Sequence, residues 1–489
     1  VTETAQPRSV LSPELLPASI AIYTTVALVA FEGLAVTAAL PQVAADLGNV
    51  GLLPWVITAY MLTSGVATLV AGPLVDSLGA RKVFRWSVTV FSLAGGLAAL
   101  APTMNLMIAA RALQGIGGGL VVAIGLAAVK MIYPSHLIGR AYAANSTVWG
   151  VMGVAGPALA ALLLTVADWR WIFGVNVPLG AVSLLAGWRV MPGPAPEAEV
   201  SKLDIRGTVL VTAFILSILI AVDRLGTISI LWLVASIGMV YLYWFHARRV
   251  PGPVVKPEHL IRQPYSGLAA GMGLMLAGAI GINGYLPLYV QGGRGVAPAL
   301  AAWSVIFLTV SWTTGSNISA MLTKRFAESQ IVVSGFGLTV PGLTLIWISS
   351  AASWELAWIF SGFVLAGLGV GISTNAALTL LGDATPSAQI GRAMSGHHFA
   401  RTQGFTLGVA LAGAVILLVT GRALGDIETV RQLLAGELTG SQMEAASAIE
   451  AGFATAAATC AALAAIGVIP VIALRKHLKG ARLARGRTR

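Results

Sequence analysis

Fourteen stretches of the chain are almost wholly apolar, and short breaks of polar residues, glycine or proline divide them. Their limits are 18–40, 52–75, 84–101, 104–129, 141–165, 171–188, 207–222, 228–245, 265–290, 298–322, 331–350, 354–381, 393–420 and 447–474, with the seventh and eighth short. About 20 apolar residues in a helix suffice to cross a bilayer core. The pattern predicts an all-α polytopic membrane protein with 14 transmembrane helices and no soluble domain of useful size. Two polar insertions interrupt it. Residues 189–206 carry Pro192, Pro194, Pro196, Glu197 and Glu199 and read as a cytoplasmic linker. Residues 421–446 form the only long external segment, with Ile427, Val430, Leu433 and Leu434 at helical spacing. That segment is either a solvated connector or a helical extension that guides cargo or meets an external partner.

Composition agrees with this picture. Of 489 residues, 57% are hydrophobic and 10% charged, where a soluble protein carries about 25% charged residues. The 56 glycines suit a tightly packed helix bundle, because small residues let membrane helices approach closely. Cys460 is the single cysteine and lies in an apolar run, so neither a disulfide framework nor a cysteine-rich metal site is expected. The first 17 residues contain Pro7, Pro13 and Pro17, and the run behind them is too long for a signal h-region. A cleaved leader is therefore not expected.

Lys and Arg set the orientation. Placing the N-terminus inside leaves only Arg170, Arg224, Arg294, Arg422 and Arg431 outside, and Arg111 and Arg401 within spans. The remainder of the 30 then fall on the cytoplasmic side. This positive-inside distribution predicts an inner-membrane protein with both termini cytoplasmic. The net charge of +11 belongs to topology and to attraction for anionic membrane lipids. Nucleic acid is not an expected partner.

Three charges stand clearly inside the apolar spans: Glu32, Arg111 and Arg401. A charge at membrane depth costs a few kcal/mol, so such a residue is a functional candidate by default. Glu32 lies eight residues from Leu40 at the outer end of its span, and Arg111 seven residues from Met104 at the outer end of its own. At about 1.5 Å rise per residue the two depths nearly coincide. Glu32 is the candidate proton-coupling carboxylate and Arg111 its tuning partner. A static structural ion pair is the alternative. Arg401 lies eight residues from the inner end of its span and is a candidate cytoplasmic-side contact or gate; His397 and His398, close by, read as helix-end interfacial residues. No metal-ligand set is visible, and no cofactor is expected.

Four motifs carry a family resemblance. Gly72-Pro-Leu-Val-Asp76-Ser-Leu-Gly79-Ala-Arg81-Lys82 follows the second span. Its glycines permit a tight turn, and Asp76 can pair with the nearby cations. The segment resembles the signature loop of the major facilitator superfamily. Arg111-Ala-Leu-Gln114-Gly115 resembles that family's RxxQG motif, and Gly150-Val-Met-Gly153-Val-Ala-Gly156-Pro157 its antiporter glycine-proline motif. Trp169-Arg170-Trp171-Ile172-Phe173 with Asn176-Val177-Pro178-Leu179-Gly180 is similar to the hallmark of the fourteen-span drug:proton antiporter branch. Glu32 stands where that branch usually has aspartate, and Thr37 where it usually has asparagine; the second signature loop, around Gly315 to Arg325, is degenerate. Within the superfamily the chain looks closest to mycobacterial exporters that handle triacylglycerides and lipophilic drugs beside a periplasmic lipid-carrying lipoprotein.

The resemblance implies two six-helix halves, residues 1–188 and 263–489, around a linker with two extra helices at 189–262. The C-terminal half would include the 421–446 extension and the basic tail. It implies a transporter rather than an enzyme, rocking about a midplane site. Gly72, Asp76, Gly79 and Arg81 would form the gating loop, and Gly153, Gly156 and Pro157 a hinge, with Gly367, Gly369 and Gly371 doing the same in the other half. The expected activity is proton-coupled export of triacylglyceride-like lipid or lipophilic compounds, or else general multidrug efflux without a lipid role. Partners would be the cargo, protons, membrane lipids and a periplasmic lipoprotein. Trp55, Tyr60, Trp149, Tyr285, Tyr289 and Trp312 are candidate cargo-lining rings, or else packing residues. A membrane-embedded enzyme would need a nucleophile with a base or a metal set, which six scattered histidines and one cysteine hardly supply. A non-transporting sensor would need no titrating carboxylate.

Overall fold

The computed structural model describes residues 9–48, 52–193, 203–223, 227–296, 303–386, 390–425 and 442–486. Every regular element among them is helical. The helices are α1 (Leu16–Leu47), α2 (Leu53–Leu78), α3 (Ala80–Ala99), α4 (Met104–Ile132), α5 (Ser135–Val166), α6 (Arg170–Gly174), α7 (Asn176–Gly187), α8 (Ile205–Asp223) and α9 (Thr227–Arg249). They continue as α10 (Pro257–Ile261), α11 (Tyr265–Asn283), α12 (Leu286–Leu288), α13 (Ile306–Leu322), α14 (Glu328–Ala351), α15 (Leu356–Ala384), α16 (Ile390–Leu424) and α17 (Gln442–Gly486). A π-helical turn, Tyr289–Gly293, follows α12, and a 3-10 turn, Trp303–Val305, leads into α13.

Among the described residues, each of the fourteen apolar stretches is mainly helical. Thirteen helical segments among the described residues are long and apolar enough to cross a membrane. The stretch outside that set is α3, whose first two turns carry Arg81, Lys82 and Arg85. The chain divides into two compact units. One comprises Val1–Ala213, Met239–Leu260 and Leu381–Phe399; the other comprises Phe214–Gly238, Ile261–Leu380 and Ala400–Arg489.

In the first unit, α4 packs against α2 and α3 through glycines on different faces. A Cβ on Gly115 would fall 2.3 Å from the Tyr60 carbonyl oxygen, and one on Gly119 2.0 Å from that of Ser64. Both contacts are with the α2 backbone. A Cβ on Gly117 would fall 2.5 Å from the Phe91 nitrogen of α3. Thr63 and Thr68 of α2 fasten the seam by donating to the Ala112 and Gly119 carbonyls. The second unit repeats this arrangement. Cβ atoms on Gly367 and Gly371 of α15 would meet the Leu308 and Trp312 carbonyl oxygens of α13 at 2.5 and 2.0 Å, and one on Gly369 would meet the Gly335 carbonyl oxygen of α14 at 2.3 Å. Gly367, Gly369 and Gly371 are therefore contact points between helices. Loss of their side chains lets the backbones approach to van der Waals distance.

The signature segment is shorter as a turn than its glycines suggest. Gly72 is buried inside α2, which continues to Leu78. Gly79 alone makes the turn, with φ 79°, a left-handed conformation that glycine adopts without penalty. Arg81 donates Nε to the Met191 carbonyl at 2.7 Å and Nη2 to that of Arg189 at 3.0 Å. The pairing expected of Asp76 lies outside the described side chains. Residues 189–193 turn back onto α3, with Met191 fully buried, so the start of the expected linker is packed. Further along, Asp204 accepts from His246 Nε2 at 2.7 Å and from the Gly207 amide at 2.8 Å.

In the second unit, Tyr289 is fully buried and stacks on Phe453 at 4.2 Å between ring centroids. Its hydroxyl accepts from Arg294 Nε, which also lies 3.3 Å from Glu450. Tyr289 is thus a packing residue. His397, in the part of α16 that belongs to the first unit, is buried. The helix expected within 421–446 falls largely outside the described residues.

Candidate functional site

α1, α2, α4 and α7 bring one polar cluster into the core of the first unit. Glu32 of α1 is wholly buried, and Arg111 of α4 is 2% exposed. Arg111 Nη1 donates to Glu32 Oε1, so the two charges placed at matching depth are paired. The same nitrogen donates to Gln114 Oε1 at 2.7 Å, and Nε donates to the Val56 carbonyl of α2 at 3.0 Å. Asn176, at the start of α7, donates Nδ2 to Glu32 Oε2. Both carboxylate oxygens are therefore engaged, one by a cation and one by a neutral amide. The guanidinium lies 4.4 Å from the Tyr60 ring centroid and 5.5 Å from that of Phe173. Aromatic faces of this kind stabilise a desolvated cation.

Local structure explains these positions. The i, i+3 spacing of Arg111 and Gln114 puts both on one face of α4. Gly95 of α3 leaves room for Asn176: a Cβ there would lie 3.0 Å from the Asn176 Cβ and 3.1 Å from the Phe173 carbonyl oxygen. The buried apolar cluster around the site includes Phe31, Val36, Met104, Met107 and Phe173. Three buried polar atoms of the cluster lack a hydrogen-bond partner among the described residues: Tyr60 Oη, Gln114 Nε2 and Asn176 Oδ1. In the sequence Asn176 and Gln114 stand out only as parts of motifs. Their role as carboxylate and guanidinium partners depends on how α7 and α4 pack, which their spacing does not reveal.

Of the other sequence candidates, Tyr60 joins this cluster and the rest have no described contact with it. Arg401 is in α16 of the second unit, and its Nε is buried without a hydrogen-bond partner among the described residues. Gly153 and Gly156 are buried within α5, which runs through position 157 without interruption. Trp55 and Trp149 are about two-fifths exposed, and Tyr60 is buried beneath Arg111.

Trp169 is 1% exposed, while its neighbour Trp171 is 58% exposed. Trp169 donates Nε1 to Asp46 Oδ2 at 2.9 Å, and Arg170 Nη1 lies 3.0 Å from the same oxygen. This clasp ties the end of α1 to α6. Asp46 is exposed and beyond the apolar span. Its hydrogen bonds from Trp169 and Arg170 hold its carboxyl below the ordinary carboxylate range. A depressed folded-state pKa gives stabilisation that is present above the unfolded value, about 4, and is lost as pH falls through the folded value. Asp46→Asn should therefore lower the melting temperature at pH 7 and make progressively less difference as the pH falls below about 4. An effect that does not shrink on acidification in a thermal-shift titration would exclude a charge-dependent clasp.

Residues 20–409 match the family model of the Major Facilitator Superfamily. The chain belongs to this superfamily, whose members are membrane transporters rather than enzymes, and is a multi-pass membrane protein. It is 28% identical over 454 residues to a probable multidrug-efflux transporter of Mycobacterium tuberculosis, Rv1634, covering 88% of this chain and 93% of that one. It is 28% identical over 410 residues to the puromycin resistance protein pur8 of Streptomyces alboniger, with 82% and 81% covered. The multidrug transporter protein MdtP of Bacillus subtilis is 25% identical over 406 residues, with 81% and 74% covered. Among solved structures, the human organic anion transporter MFSD10 superposes with TM-score 0.64 at 14% identity, covering 94% of this chain and all of that one. The proton:xylose symporter XylE gives 0.60 at 14% identity, with 91% and 94% covered. Those two likenesses concern the fold.

Proposed function

We propose that the protein is a proton-coupled efflux antiporter for lipophilic, drug-type compounds. The observation that carries the coupling is Glu32, a wholly buried carboxylate held by Arg111 and Asn176. The names of the bacterial relatives support the cargo class. Export of triacylglyceride-like lipid, alongside a periplasmic lipoprotein, is a second reading that rests on the sequence resemblance alone.

The chemistry of the pair suits coupling. Proton uptake by Glu32 removes the charge that neutralises Arg111. A buried cation without its partner is strongly unfavourable, so protonation favours an arrangement in which the guanidinium finds other acceptors. Gln114, the Val56 carbonyl and the Tyr60 ring are already within reach. Release of the proton restores the ion pair. Alternation between the two would drive the rocking of two six-helix halves, 1–188 and 263–489, around the linker pair 189–262. Gly72, Gly79, Asp76 and Arg81 would control the turn between α2 and α3. Gly153, Gly156 and Pro157 would let α5 bend, and Arg401 would act at the cytoplasmic side. The protein would lie in the inner membrane with both termini cytoplasmic, as the excess of Lys and Arg on that side supports.

The test is transport in proteoliposomes with an imposed pH gradient, using a fluorescent lipophilic drug and a labelled triacylglyceride. Glu32→Gln keeps an oxygen for Arg111 but cannot titrate. Gradient-driven transport should fall to background in this variant while folding and cargo binding persist. Equal gradient-driven transport by both proteins would remove Glu32 from the coupling mechanism. The cargo that moves in the wild type decides between drug and lipid.

A further inference from the structure

Arg81, Lys82 and Arg85 occupy the first two turns of α3. Cations there face the positive end of the helix dipole, which favours anions. Among the described residues none of the three has a carboxylate within ion-pair distance. Neutral groups hold them instead. Arg81 donates to the carbonyls of Met191 and Arg189. Arg85 donates Nε to the Trp188 carbonyl at 3.1 Å and lies 4.0 Å over the Trp188 ring. Lys82 Nζ lies 5.0 Å from the Trp86 ring centroid.

These side chains open a groove of about 840 Å³, which Ser77 and Thr89 also line. Trp86 and Trp188 are 54% and 46% exposed. Exposed tryptophans at span ends mark the headgroup level of a bilayer. From the groove, Trp86, Leu93 and Leu97 continue along one face of α3, all substantially exposed. The groove thus joins positive charge that has no carboxylate partner among the described residues, amphipathic rings and an apolar track, in the order in which a phospholipid presents phosphate, glycerol and acyl chain. A free phosphate would use only the first.

We propose that this groove binds the headgroup of an anionic phospholipid from the surrounding leaflet. The phosphate sits between Lys82 and Arg85, and an acyl chain lies along Trp86, Leu93 and Leu97. The site is separate from the Glu32 cluster and does not depend on the transport reading.

Native mass spectrometry of the detergent-solubilised full chain tests it, with phosphatidylglycerol, phosphatidylcholine and inorganic phosphate as probes. Phosphatidylglycerol should be retained in preference to phosphatidylcholine. K82Q/R85Q should weaken that retention by about fivefold per neutralised cation. K324Q/K476Q, which removes equal charge from exposed positions elsewhere, should leave it unchanged. Equal losses in both double variants would overturn the site in favour of bulk charge. Retention of inorganic phosphate that phosphatidylglycerol does not displace would make this a free-anion site and also overturn it. A phosphatidylglycerol preference that is absent from wild type and gained only in E197Q/E199Q would assign the groove to the chain's own carboxylates. Should R85Q prevent folding, K82Q carries the charge test alone. Tryptophan quenching by brominated phosphatidylglycerol, relative to brominated phosphatidylcholine, then provides the second readout. That excess quenching should disappear in W86F/W188F, and its persistence would overturn the proposal.

Discussion

Arg111→Leu should destabilise the protein by about 3–5 kcal/mol, because it leaves the Glu32 carboxylate buried without its cation. The Val56 carbonyl and Gln114 Oε1 lose their donor in the same step. The loss should appear as a lower melting temperature in detergent and a smaller monodisperse fraction. Most of that cost is a penalty for an unpaired charge. Removing the second charge should therefore recover part of the stability, and Glu32→Gln/Arg111→Leu should melt above Arg111→Leu. Such a double-mutant cycle isolates the pair energy from the packing each side chain also provides. A double variant no more stable than Arg111→Leu would mean that the arginine acts through packing and its carbonyl bond, without the carboxylate.

Gly119→Ala is expected to cost about 1–3 kcal/mol, the usual penalty for overpacking a core. The new Cβ would stand 2.0 Å from the Ser64 carbonyl oxygen. That neighbour is helix backbone, so α2 and α4 must separate to admit it. The Thr68 bond to the Gly119 carbonyl would stretch with them. Gly125 of the same helix is the internal control, since a Cβ there meets nothing within 4 Å. Gly125→Ala should leave stability unchanged or raise it by up to about 1 kcal/mol, because alanine has the higher helix propensity. Similar melting temperatures for the two variants would show that the seam yields, and that the glycines of α4 are not required for close approach.

The two predictions differ in how far the sequence reveals their basis. The Glu32–Arg111 pair was legible because helical rise is constant: two charges at equal depth in two bilayer-length helices can meet. Asn176 was not legible as a partner. It reaches Glu32 only because α7 packs beside α1 and because Gly95 leaves space for it. The glycines 115, 117 and 119 announced close packing. Their spacing does not say that 115 and 119 meet α2 while 117 meets α3. Trp169 and Tyr289 show the opposite limit. An aromatic residue near a span end suits an interface anchor or a cavity wall equally well from sequence. Here Asp46 holds the Trp169 indole and Phe453 covers the Tyr289 ring.

What the sequence determined by itself is whatever depends on the bilayer. Apolar length sets the fourteen candidate spans, the Lys and Arg distribution sets the expected orientation, and the rarity of charge at depth singles out Glu32, Arg111 and Arg401. Tertiary structure alone decided which face of each helix meets which neighbour. It set the partners of Glu32, the carbonyls that hold Arg81 and the groove beside α3. The physical reason is that lipid selects segments by composition and length, both local properties. Helix contacts within lipid are selected by shape and by hydrogen bonds between residues as distant in sequence as 32 and 176.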